Sequence, residues 1–156
     1  MQRRNFIRLA GGGTIAAATA GSLAAWGALG AHYPAEAVEA WNGPVGETDV
    51  RRRAVAYAIT APNPHNLQPW LVDLREEGAI TLRTDPARVL PHTDPLGRQI
   101  LIGHGAFLEL LVMALAQQGV ASTVRLWPQG ELPPALQDWD DRPVARITLQ
   151  LSLIHI

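Results

Sequence analysis

The chain has no cysteine and no lysine, only three serines, and few charges of either sign. Without cysteine there can be no thiol nucleophile, disulfide, Cys-ligated zinc or Cys-bound iron–sulfur cluster. Without lysine, Schiff-base catalysis and the P-loop lysine are excluded, and all 13 basic residues are arginines. None of Ser22, Ser122 and Ser152 stands in a G-x-S-x-G context, which argues against a serine hydrolase. Charged residues make up 17% and the formal net charge is −1. That balance gives no reason to expect nucleic-acid binding or charge-driven disorder. What is present is a chain of 156 residues, 47% of them apolar, enough for one domain with a packed core.

The first segment reads as an export signal. Arg3, Arg4 and Arg8 precede an uncharged, Ala/Gly/Thr-rich run from Leu9 to Ala31, the pattern of a signal peptide or N-terminal anchor rather than of a fold. The paired arginines with Phe6 two residues on resemble the twin-arginine export motif, whose cargo crosses folded and often carries a cofactor. The expected location is periplasmic, or anchored and facing outward, with membrane contact only through residues 1–31. Residues 32–156 then carry 10 basic and 14 acidic groups, a net of −4.

Residues 32–47, rich in Pro, Gly and Ala, read as a linker, and 48–150 as the folded unit. Thr48 is expected to cap a helix over 49–60, with Asp49 in its first turn. That helix must stop at Ala61-Pro62-Asn63-Pro64. Trp70, Val72 and Leu74 alternate with Leu71, Asp73 and Arg75, Glu76-Glu77-Gly78 turns the chain, and Ile80 and Leu82 alternate with Thr81 and Arg83: a β-hairpin. Asp94-Pro95 resembles an N-cap followed by a first-turn proline, opening a long helix that Gly119 ends. From Ile100 to Ala116 that helix is apolar on nearly every side, which predicts burial; Glu109 near its middle argues against a membrane span. Two strands, around Val124–Leu126 and Ala145–Leu149, complete an α+β order in which a long apolar helix packs on a small, mostly antiparallel sheet. Residues 151–156, LSLIHI, continue the strand alternation, yet they resemble the in-frame translation of a library-preparation adapter. On that reading they are an artefact and the chain is an N-terminal fragment.

Few residues carry chemistry. His65, His92 and His104 never stand at i+3 or i+4 spacing, so no metal site is expected. Gly103-His104-Gly105 sits inside a helix and lacks the third glycine of a dinucleotide loop. Arg51–Arg53 suit either a phosphate, through forked hydrogen bonds, or a solvated helix face. Glu109 is either a tuned carboxylate or the partner of a distant arginine. The stretch APNPHNLQPW over 61–70 is different. Its prolines stiffen the corner between helix and strand, so the amides of Asn66 and Gln68 are aimed at little entropic cost. Such amides both donate and accept, which suits the alternating carbonyl and N–H edge of a flavin ring. A rigid structural corner is the competing reading.

The same stretch resembles the P-S-x-x-N-x-Q-P-W signature of the FMN-dependent nitroreductase family. Together with the twin-arginine start, the phrase RVLPHTDPLGRQILIGHGAFLELL and the closing DDRPVARITL, it is similar to the Acg-like, exported branch of that family. The resemblance covers residues 1–150. It implies the first half of a nitroreductase-like fold with FMN as cofactor, held by Pro64, His65, Asn66 and Gln68, and NAD(P)H as electron donor. Asn63 stands where the family has serine, and no R-x-S-x-R phosphate motif occurs near the start, so Arg52 is assigned to the phosphate. No residue is assigned a catalytic role. Two functions follow from the resemblance: an oxidoreductase passing electrons to nitro- or quinone-type acceptors, or a flavin-sequestering protein with little turnover. It also implies a missing C-terminal half, or self-association in its place.

Overall fold

In the computed structural model of the protein, residues 35–150 are described; the segment 1–31 read as an export signal, residues 32–34 of the expected linker and the hexapeptide 151–156 lie outside the described residues. The chain divides into two units after Glu39. Within the stretch read as a linker, Ala35–Val38 is a single helical turn and Glu39–Asn42 a 3-10 turn.

Helix α1 spans Val50–Ala58, one residue shorter at its start than expected and two shorter at its end. The cap is Asp49, not Thr48. Asp49 has extended backbone angles and its Oδ1 accepts from the Arg51 amide at 2.8 Å, while the Thr48 amide is taken by Glu47 Oε1 at 2.9 Å. A carboxylate at this end also opposes the helix dipole favourably. The Arg51 guanidinium bonded to it holds the Asp49 carboxyl below its usual range. The same guanidinium reaches across to donate to the Leu74 and Glu76 carbonyls at 3.0 and 2.9 Å.

The hairpin is as its alternation predicts. Strands β1 (Trp70–Asp73) and β2 (Ala79–Thr84) pair antiparallel, with Trp70 opposite Thr84 and Val72 opposite Leu82. Helix α2 spans Arg98–Gln117. Strands β3 (Ala121–Leu126) and β4 (Ala145–Gln150) complete a four-stranded sheet of order β1-β2-β4-β3, with every pair antiparallel.

The start of α2 corrects the expectation for Asp94. Asp94 lies three residues before the N-cap, which is Gly97 in the left-handed region at φ +64°. Its buried carboxylate nevertheless takes the Arg98, Gln99 and Ile100 amides at 2.8, 2.9 and 3.2 Å. It caps from a distance, satisfying donors that helical geometry leaves unpaired. Gly97 is required twice over, since its φ disfavours a side chain and a Cβ there would overlap the Trp139 ring. At the other end Gly119 donates to Ala116 and Val120 to Leu115, at 2.9 and 3.0 Å, the paired bonds of a Schellman stop.

One face of α2 supplies the core. Phe107, Leu111 and Leu115 pack with Trp70, Ile80, Leu82, Ala145 and Ile147, and with the small Ala54 and Ala58 of α1. Full burial on all sides does not occur within 35–150: Ile102 is 73% exposed and Met113 55%. Glu109 is exposed as well and makes no ion pair among the described residues, contrary to the distant-arginine reading. The helix is long and apolar enough to cross a membrane by length and composition, yet here it packs on a sheet. Gln118, just past its end, donates to the Val50 and Ala114 carbonyls at 3.2 and 2.9 Å, joining the end of α2 to the start of α1.

Candidate functional site

The proline-rich stretch forms a tight loop over 61–69, between α1 and β1. Its centre is a 3-10 turn, Pro64–Asn66. Pro64 fixes φ at the first position of that turn, and the Asn66 and Leu67 amides donate back to the Asn63 and Pro64 carbonyls at 3.2 and 3.1 Å. His65, Asn66 and Gln68 then adopt φ of +52°, +52° and +53°. For residues with a Cβ the left-handed region costs about 1–2 kcal/mol each. Three such residues within four positions need an external clamp.

Asn63 is that clamp. Its Oδ1 accepts the Gln68 amide at 2.8 Å and its Nδ2 donates to the Ala61 carbonyl at 3.1 Å. The sequence pattern shows Asn63 only as a departure from serine; its side chain closes the loop on itself. The available signal was an Asn ahead of proline, a residue whose side chain bonds nearby backbone. Beneath the clamp lies Gly103 of α2. A Cβ there would come within 3.4 Å of the Asn63 Cβ and 3.5 Å of the Pro62 carbonyl oxygen. Those are ordinary van der Waals distances, so the loop lies directly on α2 at Gly103, while a Cβ at Gly105 would meet nothing.

The far end of the loop is anchored in the core. Pro69 and Trp70 are buried. The Trp70 ring lies 5.0 Å from Phe107 and 6.4 Å, edge-on, from the imidazole of His104. Trp70 is a core aromatic. His104 is 1% exposed, its Nδ1 2.8 Å from the Ile100 carbonyl and its Nε2 3.4 Å from Thr84 Oγ1. Burial lowers its pKa. It is the hydrogen-bonded structural histidine that its isolation in the sequence suggests, and no group of metal-ligating side chains occurs among the described residues.

Of the expected site residues, the loop brings four together. His65 and Asn66 are exposed, Pro64 and Gln68 half-buried. Gln68 Nε2 donates to Asn66 Oδ1 at 3.3 Å, which orders the two amides against each other and leaves Asn66 Nδ2 and Gln68 Oε1 for another partner. Arg52 is elsewhere. It lines a cavity with Leu71–Arg75 and Arg83 that contains no loop residue. Arg53 faces a separate groove with Tyr57, Leu110 and Met113, and Arg51 is committed to Asp49 and the hairpin. The arginine triplet does not converge on one anion.

No family model matches the chain. Over 101 residues it is 38% identical to a Mycobacterium tuberculosis protein provisionally named NAD(P)H nitroreductase acg, an alignment covering 65% of this chain and 30% of that protein. A second protein of that organism, also provisionally named an NAD(P)H nitroreductase, is 32% identical over 82 residues, 53% of this chain and 24% of its own length. The chain thus spans less than a third of these curated relatives. Among solved structures, a provisionally named NADH oxidase from Clostridium acetobutylicum superposes with a TM-score of 0.50 at 14% identity, covering 69% of this chain and 78% of that one. A nitroreductase family protein from Streptococcus pneumoniae gives 0.45 at 20% identity, over 68% and 80%.

Proposed function

We propose that the whole protein is an FMN-dependent oxidoreductase, a reading supported by the 38% identity to a provisionally named NAD(P)H nitroreductase and by the α+β fold shared with a provisionally named NADH oxidase. It would take electrons from NAD(P)H and reduce nitro- or quinone-type acceptors. The observation that carries this reading is the loop over 61–69, where the Asn63 clamp holds three residues in the left-handed region and leaves His65 and Asn66 exposed and Gln68 half-buried. Strained, over-determined backbone of this kind clusters where ligands bind.

The donor set fits a flavin. Asn66 Nδ2 offers N–H groups and Gln68 Oε1 an acceptor, fixed relative to each other by their mutual bond; these complement a ring edge of alternating carbonyls and N–H groups. Pro64 and His65 complete the contact surface. Bound there, FMN would accept a hydride from the nicotinamide and return electrons to the acceptor. The residues bind and orient. Because the loop is held before any ligand arrives, the amides lose little entropy on engaging it. Arg52 lines a cavity with Leu71–Arg75 and Arg83 that contains no loop residue, so it would reach a phosphate only if the ligand extends to that cavity. Delivery outside the cytoplasm through Arg3 and Arg4 belongs to the same reading.

The test uses the full-length protein. It should purify with stoichiometric FMN that NAD(P)H bleaches anaerobically and that a nitroaromatic or quinone restores. FMN that resists both would assign a sequestering role. A protein that neither holds nor takes up FMN would overturn the proposal.

A further inference from the structure

The loop over 61–69 contains no arginine, yet a flavin gains negative charge at the pyrimidine carbonyl edge of its ring when reduced. A neighbouring turn supplies a cation. Pro86–Arg88 is a 3-10 turn whose Asp85 side chain accepts the Ala87 amide at 2.9 Å. It is joined to the loop at two points: the Asp85 amide donates to the Pro69 carbonyl at 2.8 Å, and Arg88 Nη1 donates to the Leu67 carbonyl at 3.3 Å. Leu67 lies between Asn66 and Gln68, so the guanidinium is tied to the loop backbone between the two residues that carry the amides. Its Nε pairs with Asp85 at 3.3 Å and its side chain is 54% exposed. Guanidinium has five N–H donors in a planar fork. Nη2 takes no partner among the described residues and is left for a ligand.

We propose that Arg88 is a binding residue of the loop site, meeting the carbonyl edge of the flavin ring beside Asn66 and Gln68 and favouring the reduced, negatively charged form. This rests on the flavin reading above. It differs from the expectation for Arg52, which lines a cavity that contains no loop residue. A fixed positive charge at that edge is worth more to the reduced flavin than to the oxidised one, because a hydrogen bond between charged partners is stronger than one to a neutral carbonyl.

The experiment measures the midpoint potential of flavin bound to the full-length protein, with Kd for oxidised FMN and for riboflavin. Arg88→Gln should weaken reduced flavin relative to oxidised by about tenfold, which is a fall of about 30 mV for a two-electron couple. Asp85→Asn leaves Arg88 without its counter-charge and should raise the potential; it also decides the matter if Arg88→Gln fails to fold. An unchanged potential in both variants overturns the proposal, including the case where both redox states bind more weakly by the same factor, as a purely structural tie would give. A loss confined to FMN, with riboflavin unaffected, would put Arg88 at the phosphate and overturn the ring-edge assignment. If the unaltered protein binds no flavin, the functional reading itself has failed; flavin bound at an unmoved potential overturns Arg88 alone.

Discussion

Asn63 Oδ1 and the Gln68 amide are 2.8 Å apart, closing a turn of four intervening residues, and that bond constrains the backbone that carries the Asn66 and Gln68 amides. Asn63→Ala removes both this bond and the one to the Ala61 carbonyl, leaving strained residues without a clamp. Stability should fall by about 1–2 kcal/mol, and FMN affinity should fall with it. Asn66→Ala and Gln68→Ala should each weaken FMN by a similar amount with little change in Tm. Fluorescence titration beside thermal melts separates the two behaviours; unchanged affinity in Asn66→Ala and Gln68→Ala would remove the loop from the flavin site.

Gly97→Ala should be destabilising by at least about 2 kcal/mol, because it combines an unfavourable φ with overlap on Trp139. In the double variant with Trp139→Ala the overlap is gone and only the φ cost remains. The two substitutions should therefore be less than additive by denaturant unfolding. Strict additivity would mean that the ring does not constrain the helix start.

Burial lowers the pKa of His104 from its ordinary 6.5. The folded state then takes up a proton less readily than the unfolded chain, so the neutral histidine's contribution is intact above about pH 6.5 and is lost as pH falls below it. Melting temperature should drop between pH 7.5 and pH 5, and His104→Gln should flatten that slope while lowering Tm overall. A slope unchanged by the substitution would assign the acid sensitivity to other groups.

Replacing Arg3 and Arg4 together with lysine keeps the charge, so any effect reflects recognition of the arginine pair. Cell fractionation should find the variant retained in the cytoplasm; normal export would discard the twin-arginine reading.

The 156-residue chain by itself should self-associate through the open face of α2, where Ile102 and Met113 are 73% and 55% exposed. Ile102→Glu with Met113→Glu should shift it toward monomer in sedimentation velocity. A parent chain already monomeric at high concentration would show that this face needs no cover.

The hairpin, the end of α2 at Gly119 and the order of elements were readable because each rests on local pattern: alternation, turn residues, a glycine stop. The misplaced features depend on contacts at a distance. Asp94 reads as an ordinary cap because nothing local reveals that its carboxylate reaches past Gly97 to three amides. The apolar periphery of α2 predicts burial on every side, whereas the sheet is wide enough to cover one face. In the loop, composition marks a proline-stiffened corner carrying amides, but not the clamp. Asn63 looks like one more polar residue until the chain folds back and brings the Gln68 amide to it. Arg88 is hidden for the same reason, since 21 residues separate it from Leu67.

The reach of Arg51 from α1 to the Leu74 and Glu76 carbonyls has a kinetic consequence. Helix and hairpin are bolted together at the ends remote from the loop, so the two walls that the loop bridges cannot swing apart independently. On the flavin reading, association at the loop should then proceed in one concentration-dependent step, at a rate set by encounter, with no slow opening phase ahead of it.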